Sequence, residues 1–176
     1  NEVIVVSPIL EEYIREWYPN YKITSSTCKE IKNIDALNAE LDKDYNIVVL
    51  DYNLNNKFDI LEQIKKKEKC ELLANCCCIP NCPHRGEHYK FMARQQDIVL
   101  QNRKLPANQQ LTVPTWYCDH GESTSLYVFK NHETHISPDD IWNKYVPMGF
   151  NQFKLEGLQP FITKDEDGNE IAASLA

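Results

Sequence analysis

Glycine is scarce in this chain, with five residues in 176. So few glycines leave no backbone loop flexible enough to wrap a phosphate, and no dinucleotide fingerprint, phosphate-binding loop or nucleophile elbow is present. Long apolar runs are missing too: none approaches the roughly 20 residues that span a bilayer. The segment Asn1-Glu2-Val3-Ile4-Val5-Val6 has no positively charged start and no apolar core, so it is not a signal peptide. An initiator Met is also lacking, and the chain opens directly on a strand-like run, so a fragment or a processed chain is expected. Positive charge is in deficit, with 19 Lys and Arg against 26 Asp and Glu and a formal net charge of −7. That balance excludes a broad electrostatic grip on nucleic acid, which needs basic residues to displace counterions. The densest basic run, Lys65-Lys66-Lys67, falls in a helix-like segment and reads as a solvated face.

What is present is a globular profile, 42% hydrophobic and 26% charged, long enough for one sizeable core. Residues 1–160 read as a single α/β domain and residues 161–176 as an acidic tail. The seven cysteines are odd in number and three are consecutive, unlike the spaced, even set of a disulfide-stapled secreted domain. Reduced thiols or metal ligands in a reducing cytoplasm are expected.

Strand-like and helix-like segments alternate through the first half. Residues 2–6 form a β-branched run, and Ser7-Pro8 then supplies an N-cap and a first-turn proline. Leu10, Tyr13, Ile14 and Trp17 recur at helical spacing, which predicts a helix over 8–18. Further strands are predicted at 21–24, 45–50 and 71–78, with helices at 32–42, 57–67 and 83–94. This rhythm means βα units, a parallel sheet and right-handed crossovers, either half a (β/α)₈ barrel or a small open sheet. Residues 101–114 read as a loop and 126–130 as a strand. Ser137-Pro138-Asp139-Asp140 repeats the Ser-Pro helix start, and residues 150–155 hold the last strand.

Four of the seven cysteines lie in Cys76-Cys77-Cys78-Ile79-Pro80-Asn81-Cys82. Side chains alternate along a strand, so Cys76 and Cys78 are expected on one face and Cys77 on the other. A bend at Pro80 would let Cys78 and Cys82 reach one centre. Cys118 is a third candidate ligand, and the fourth could be Cys28, Cys76 or Cys77. Four thiolates suit an iron–sulfur cluster or tetrahedral zinc, and dispersed partners favour the cluster. Small buried packing is the competing reading, and it fits Cys70, Cys77 and Cys28. His84 and His88 are spaced as ligands on a helix, though a surface pair is commoner. His120 follows Cys118 and Asp119, as a substrate-side group would. His132 and His135 read as solvent-facing loop residues. Asp51, just past the third strand, stands where βα folds carry active-site carboxylates.

Three stretches together resemble the collagenase-like peptidase family U-thirty-two and its uncharacterised relatives. The first is Glu71-Leu72-Leu73-Ala74-Asn75, then Cys78-Ile79-Pro80-Asn81-Cys82-Pro83-His84-Arg85 and His88-Tyr89. The second is Val5-Val6-Ser7-Pro8-Ile9-Leu10. The third is Ile136-Ser137-Pro138-Asp139-Asp140-Ile141 with Tyr145, Gly149-Phe150 and Phe153-Lys154-Leu155-Glu156-Gly157. The resemblance implies a TIM-type barrel of which this chain is the later part, and a [4Fe–4S] cluster with Cys78 and Cys82 as ligands and Cys118 as a third; it fixes no fourth. Members of the wider family support hydroxylation of RNA bases or of a quinone precursor, and others carry a peptidase label. On this reading Asp51, His84, Arg85 and His120 lie near the substrate, with the forked donors of Arg85 suited to an anionic group.

The chain departs from the pattern at Leu158, where the family usually has Arg, and the first strands of a full barrel have no counterpart. An incomplete barrel would expose two sheet edges, to be covered by a missing segment, a partner chain or a changed topology. The competing function is a non-catalytic scaffold with structural zinc or buried cysteines, presenting loops 101–125 and 131–137 to a protein partner.

Overall fold

The computed structural model describes residues 1–76, 78–117, 130–156, 161–164 and 170–173. Strand β1 (Glu2–Val5) leads through Ser7 into helix α1 (Pro8–Trp17), and the Ser7 hydroxyl accepts the Leu10 N–H as an N-cap. Then follow β2 (Lys22–Ser25), α2 (Ile34–Leu41), β3 (Ile47–Val49), α3 (Phe58–Leu61), β4 (Cys70–Leu73) and α4 (Arg85–Asn102). Helix α5 (Pro138–Asp140) continues as a π-helical turn, Ile141–Tyr145, ahead of β5 (Gln152–Lys154). The five strands form one parallel sheet in sequential order, β1-β2-β3-β4-β5. The expected α/β architecture with a parallel sheet is present. The sheet is open rather than closed into a barrel, with β1 and β5 at opposite edges. Within the segment read as an acidic tail, β6 (Phe161–Lys164) and β7 (Glu170–Ala173) pair antiparallel.

Alternation along each strand sorts the side chains between two faces. One face, with Val5, Ile23, Val48, Cys70 and Leu72, packs against Ile14 of α1, Leu37 and Leu41 of α2, Leu61 of α3 and Tyr145 beyond α5. The other carries a smaller cluster of Val49, Leu73, Tyr52 and Cys76, with Ile47 and Cys78 packed on it. Toward the edges this second face turns polar, and Glu2, Ile4, Thr24, Ile47, Glu71 and Lys154 line one concavity of about 280 Å³. No helix among the described residues is long and apolar enough to cross a membrane.

Several boundaries differ from expectation for local reasons. Strand β4 stops at Leu73 rather than running to Cys78. The Asn75 amide takes over the ladder, accepting the Glu156 N–H at 2.7 Å and donating to the Glu156 carbonyl at 3.2 Å. Cys76 and Cys78 therefore leave the strand before the alternation rule applies to them, yet they meet the same cluster. Helix α3 ends at Leu61 rather than near 67. Asn38 of α2 accepts the Lys65 N–H at 3.1 Å and donates to the Gln63 carbonyl at 3.3 Å, holding that segment outside a helix. Helix α4 continues to Asn102, past the expected stop near 94. The Asn102 side chain then clasps the Leu111 N–H at 2.7 Å and carbonyl at 2.8 Å. The expected strand over 126–130 lies, apart from Lys130, outside the described residues.

A second clasp closes the carboxyl end of the sheet. Asn55 is buried and donates to the carbonyls of Leu73 and Thr134, both at 2.7 Å. Asn56, with φ 60°, donates to the carbonyls of Glu133 and His135 at 2.7 and 2.8 Å. Its own N–H meets the Tyr145 hydroxyl at 2.7 Å.

Candidate active site

The carboxyl ends of parallel strands point to one rim, and side chains just past them converge there. After β2 comes a 3₁₀ turn, Thr27–Lys29, capped by Ser26 and carrying Cys28. After β3, Asp51 caps a second 3₁₀ turn, Tyr52–Leu54, and its Oδ1 accepts both the backbone and side-chain N–H groups of Asn53 at 2.8 Å. After β4 comes the cysteine-bearing loop, and α4 begins at Arg85.

The loop is fixed by the turn beneath it. Residues 79–82 make a reverse turn closed by the Cys82 N–H on the Ile79 carbonyl at 3.2 Å. Pro80 stands second and Asn81, with φ 53°, stands third, as a type II turn requires. The Asn53 Oδ1 accepts the Asn81 N–H at 2.7 Å, and the Tyr52 hydroxyl donates to the Ile79 carbonyl at 3.0 Å.

At the centre lies a buried ion pair. Arg85 Nη1 donates to Asp51 Oδ2 at 2.7 Å, with the side chains 3% and 0% exposed. The other two guanidinium nitrogens are also engaged. Nε reaches the Tyr89 hydroxyl at 2.8 Å, and Nη2 reaches the Thr27 hydroxyl and carbonyl at 3.2 and 3.4 Å. The cation lies over the Tyr52 ring at 4.3 Å and near the Tyr89 ring at 5.2 Å. Burial alone would lower the Arg85 pKa, but Tyr89 and Asp51 outweigh it and raise it above the ordinary value. Both tyrosines are pushed up, foremost by burial, against the opposing pull of Arg85.

Thiol-bearing connections flank this ion pair. Cys76 and Cys78 pack in the cluster that holds Tyr52, and the Cys82 N–H closes the turn whose Ile79 carbonyl accepts from the Tyr52 hydroxyl. Cys28 stands in the 3₁₀ turn whose Thr27 accepts from Arg85. Cys76 is buried, and Cys28, Cys78 and Cys82 are half-buried. Cys70 is separate: it packs in the core between sheet and helices, where burial pushes its thiol up to about 12.

Of the residues singled out by sequence, Asp51 and Arg85 are thus joined directly, Cys78 packs on the cluster that holds Tyr52, and Cys28 and Cys82 stand on the two connections flanking the ion pair. His84 stands at the N-cap position of α4, its side chain 44% exposed, with Nδ1 3.6 Å from Glu87. His88 stacks on Trp116 at 5.0 Å between ring centroids, and burial lowers its pKa. Cys77, Cys118 and His120 lie outside the described residues. Thr27, Tyr52, Asn53 and Tyr89 are central to the rim and were not picked out by sequence. The Asp51-Tyr52-Asn53 turn pattern and the four-residue helical step from Arg85 to Tyr89 were the available signals.

The donor chemistry of this rim, thiols with few hard oxygen ligands, suits a soft metal or a cluster. Among the described residues, no three His, Cys, Asp or Glu side chains are arranged to hold one metal ion. Complete ligation at Cys78 and Cys82 would therefore draw on Cys118 or Cys77, or on a movement of Cys28 or Cys76.

No family model matches the chain, and no solved structure matches it. A stretch of 65 residues is 32% identical to a protein of Methanocaldococcus jannaschii described as an uncharacterized protease. The match takes in 34% of this chain and 20% of that protein, so the chain matches about a fifth of its relative's length.

Proposed function

We propose that the protein is a metal-dependent enzyme, or part of one, of the collagenase-like peptidase type, with an iron–sulfur centre at the carboxyl rim of the sheet. Cys78 and Cys82 are its assigned ligands, Cys118 the third, and Cys28 the fourth. The observation that carries this reading is the convergence on the buried Arg85–Asp51 pair of two thiol-bearing connections, the β2–α2 turn with Cys28 and the β4–α4 loop with Cys76, Cys78 and Cys82. The likeness to a relative described as a protease supports the type but names no substrate.

A bound cluster would supply electron transfer or a Lewis-acidic iron. The chain's own residues frame it. Asp51 and Arg85 lock the turn after β3 to the start of α4 and hold the thiol loop at a fixed height above the sheet. Because the donors of Arg85 are engaged within the protein, its role is positioning. His84, part-exposed beside Glu87, is the candidate proton carrier, and His120 is the second. A reducing cytoplasm fits thiols kept free for ligation.

Anaerobic purification followed by iron, sulfide and zinc analysis tests this. Stoichiometric iron and sulfide, lost in Cys78→Ser and Cys82→Ser with the circular dichroism retained, is the expected result. Iron-free and sulfide-free protein after reconstitution, or a cluster that survives both substitutions, would overturn it.

A further inference from the structure

A strap lies across the carboxyl end of β4, where the thiol loop departs. It is the segment Asn131-His132-Glu133-Thr134-His135, and it carries no aliphatic side chain. Its anchor is the next residue, Ile136, buried in the main core, which donates its N–H to the Ala74 carbonyl at 2.9 Å. Upstream of that anchor, two asparagine side chains hold three strap carbonyls. Asn55 donates to that of Thr134 at 2.7 Å, and Asn56 to those of Glu133 and His135 at 2.7 and 2.8 Å. The other proton of the Asn55 amide is held by the Leu73 carbonyl, which belongs to β4 rather than to the strap.

Polar atoms are shut in at this contact. Among the described residues, Asn55 Oδ1, Thr134 Oγ1 and His132 Nδ1 are closed off from solvent and accept or donate no hydrogen bond. Asn55 and Thr134 are 2% and 1% exposed. An amide or hydroxyl oxygen buried in this way has given up its water for nothing, which costs more than an ordinary hydrogen bond contributes. Opening the strap returns these atoms to water. It gives up the three ties to the asparagines and no aliphatic contact. A segment with so little buried apolar surface opens at a free energy well below that of global unfolding.

We propose that residues 131–135 are a gate that swings on Ile136. It opens while the sheet stays folded, and it bares the Asn55 amide beside the Leu73 carbonyl at the mouth of the sheet. The proposal does not depend on the metal reading and stands or falls separately from it.

Hydrogen exchange followed by NMR on the full chain tests it. One probe is the Asn55 Nδ2 proton that meets the Thr134 carbonyl. The other is the Leu50 N–H, held by the Glu71 carbonyl at 2.9 Å inside the sheet. Protection of the Asn55 proton is expected to be lower than that of Leu50 by about a hundredfold or more. Low urea should leave it unchanged, because the opening exposes little surface. Thr134→Val keeps the side-chain shape and deletes the unpartnered hydroxyl, and it should slow Asn55 exchange by about tenfold. Asn56→Gly suits the φ of 60° and deletes two of the three ties, and it should speed that exchange by about tenfold. Unchanged circular dichroism is the fold control for both variants. Asn55 protection equal to that of Leu50 would overturn the proposal. So would a Thr134→Val variant that exchanges faster, as expected if a buried water satisfied the hydroxyl, or an Asn56→Gly variant that exchanges no faster.

Discussion

Removing the cation from the rim is the most demanding perturbation the structure offers. In Arg85→Met, the stem length is kept and the guanidinium is lost. Asp51, fully buried, would retain the Asn53 donors on Oδ1 but lose the partner of Oδ2. The hydroxyls of Thr27 and Tyr89 and the face of Tyr52 lose the cation as well. Breaking a buried pair from one side is worth about 3–5 kcal/mol, because the remaining charge is stranded. At about 2–4 °C per kcal/mol for a chain of this size, the melting temperature should fall by about 10 °C. The double variant Asp51→Asn/Arg85→Met removes the stranded charge and keeps the Oδ1 acceptor. It should recover about 2 kcal/mol relative to the sum of the single losses. Urea denaturation of the four proteins measures both quantities. A single-variant loss below about 1 kcal/mol, or strict additivity in the cycle, would refute the assignment of Asp51–Arg85 as the anchor of the rim.

Three more expectations follow from groups elsewhere. Glu40 is pushed up by burial, but Lys29, Lys43 and Ser25 outweigh this and hold it at about 2 against an ordinary 4.5. Its stabilisation is complete above pH 4.5 and is lost as pH falls toward 2. This amounts to at most about 3 kcal/mol, less the share removed by solvent screening. Glu40→Gln should therefore flatten the acid limb of a stability profile measured by urea titration, and an unchanged slope would count against the network. Asn81→Ala should destabilise by about 1–2 kcal/mol while Asn81→Gly is near neutral, since only the former places a Cβ in left-handed backbone. Equal melting temperatures for the two would disprove the turn. In protein stripped of metal, Cys70 should resist iodoacetamide at pH 8 while half-buried Cys82 is modified, because burial keeps the Cys70 thiol protonated up to about 12. Peptide mapping that finds Cys70 labelled in native protein would contradict its burial.

Much of the framework is legible from local chemistry. The β-branched run at residues 2–6 and the Ser-Pro pairs at 7–8 and 137–138 specify their elements within a few residues, and both serines accept the expected backbone N–H. What escapes the sequence depends on partners far along the chain. The Asn75 amide ends β4 only because Glu156 lies beside it, and α3 is cut short by Asn38 from another helix. At the rim, the position of Asp51 was readable, but its tie to Arg85 spans 34 residues. The aromatic walls of Tyr52 and Tyr89 share no local pattern, and only the fold brings them to one cation.

The asparagine clasp beyond β3 has a kinetic consequence. Asn55 and Asn56 reach partners 77 to 79 residues away, and Tyr145 closes the same knot from 89 residues away. Each neighbouring βα step can collapse through shorter closures, whereas this knot needs a long one, and distant closures are slow. The mouth of the sheet would thus be the last region to organise during refolding, with its thiols exposed to air and oxidants until the knot is tied.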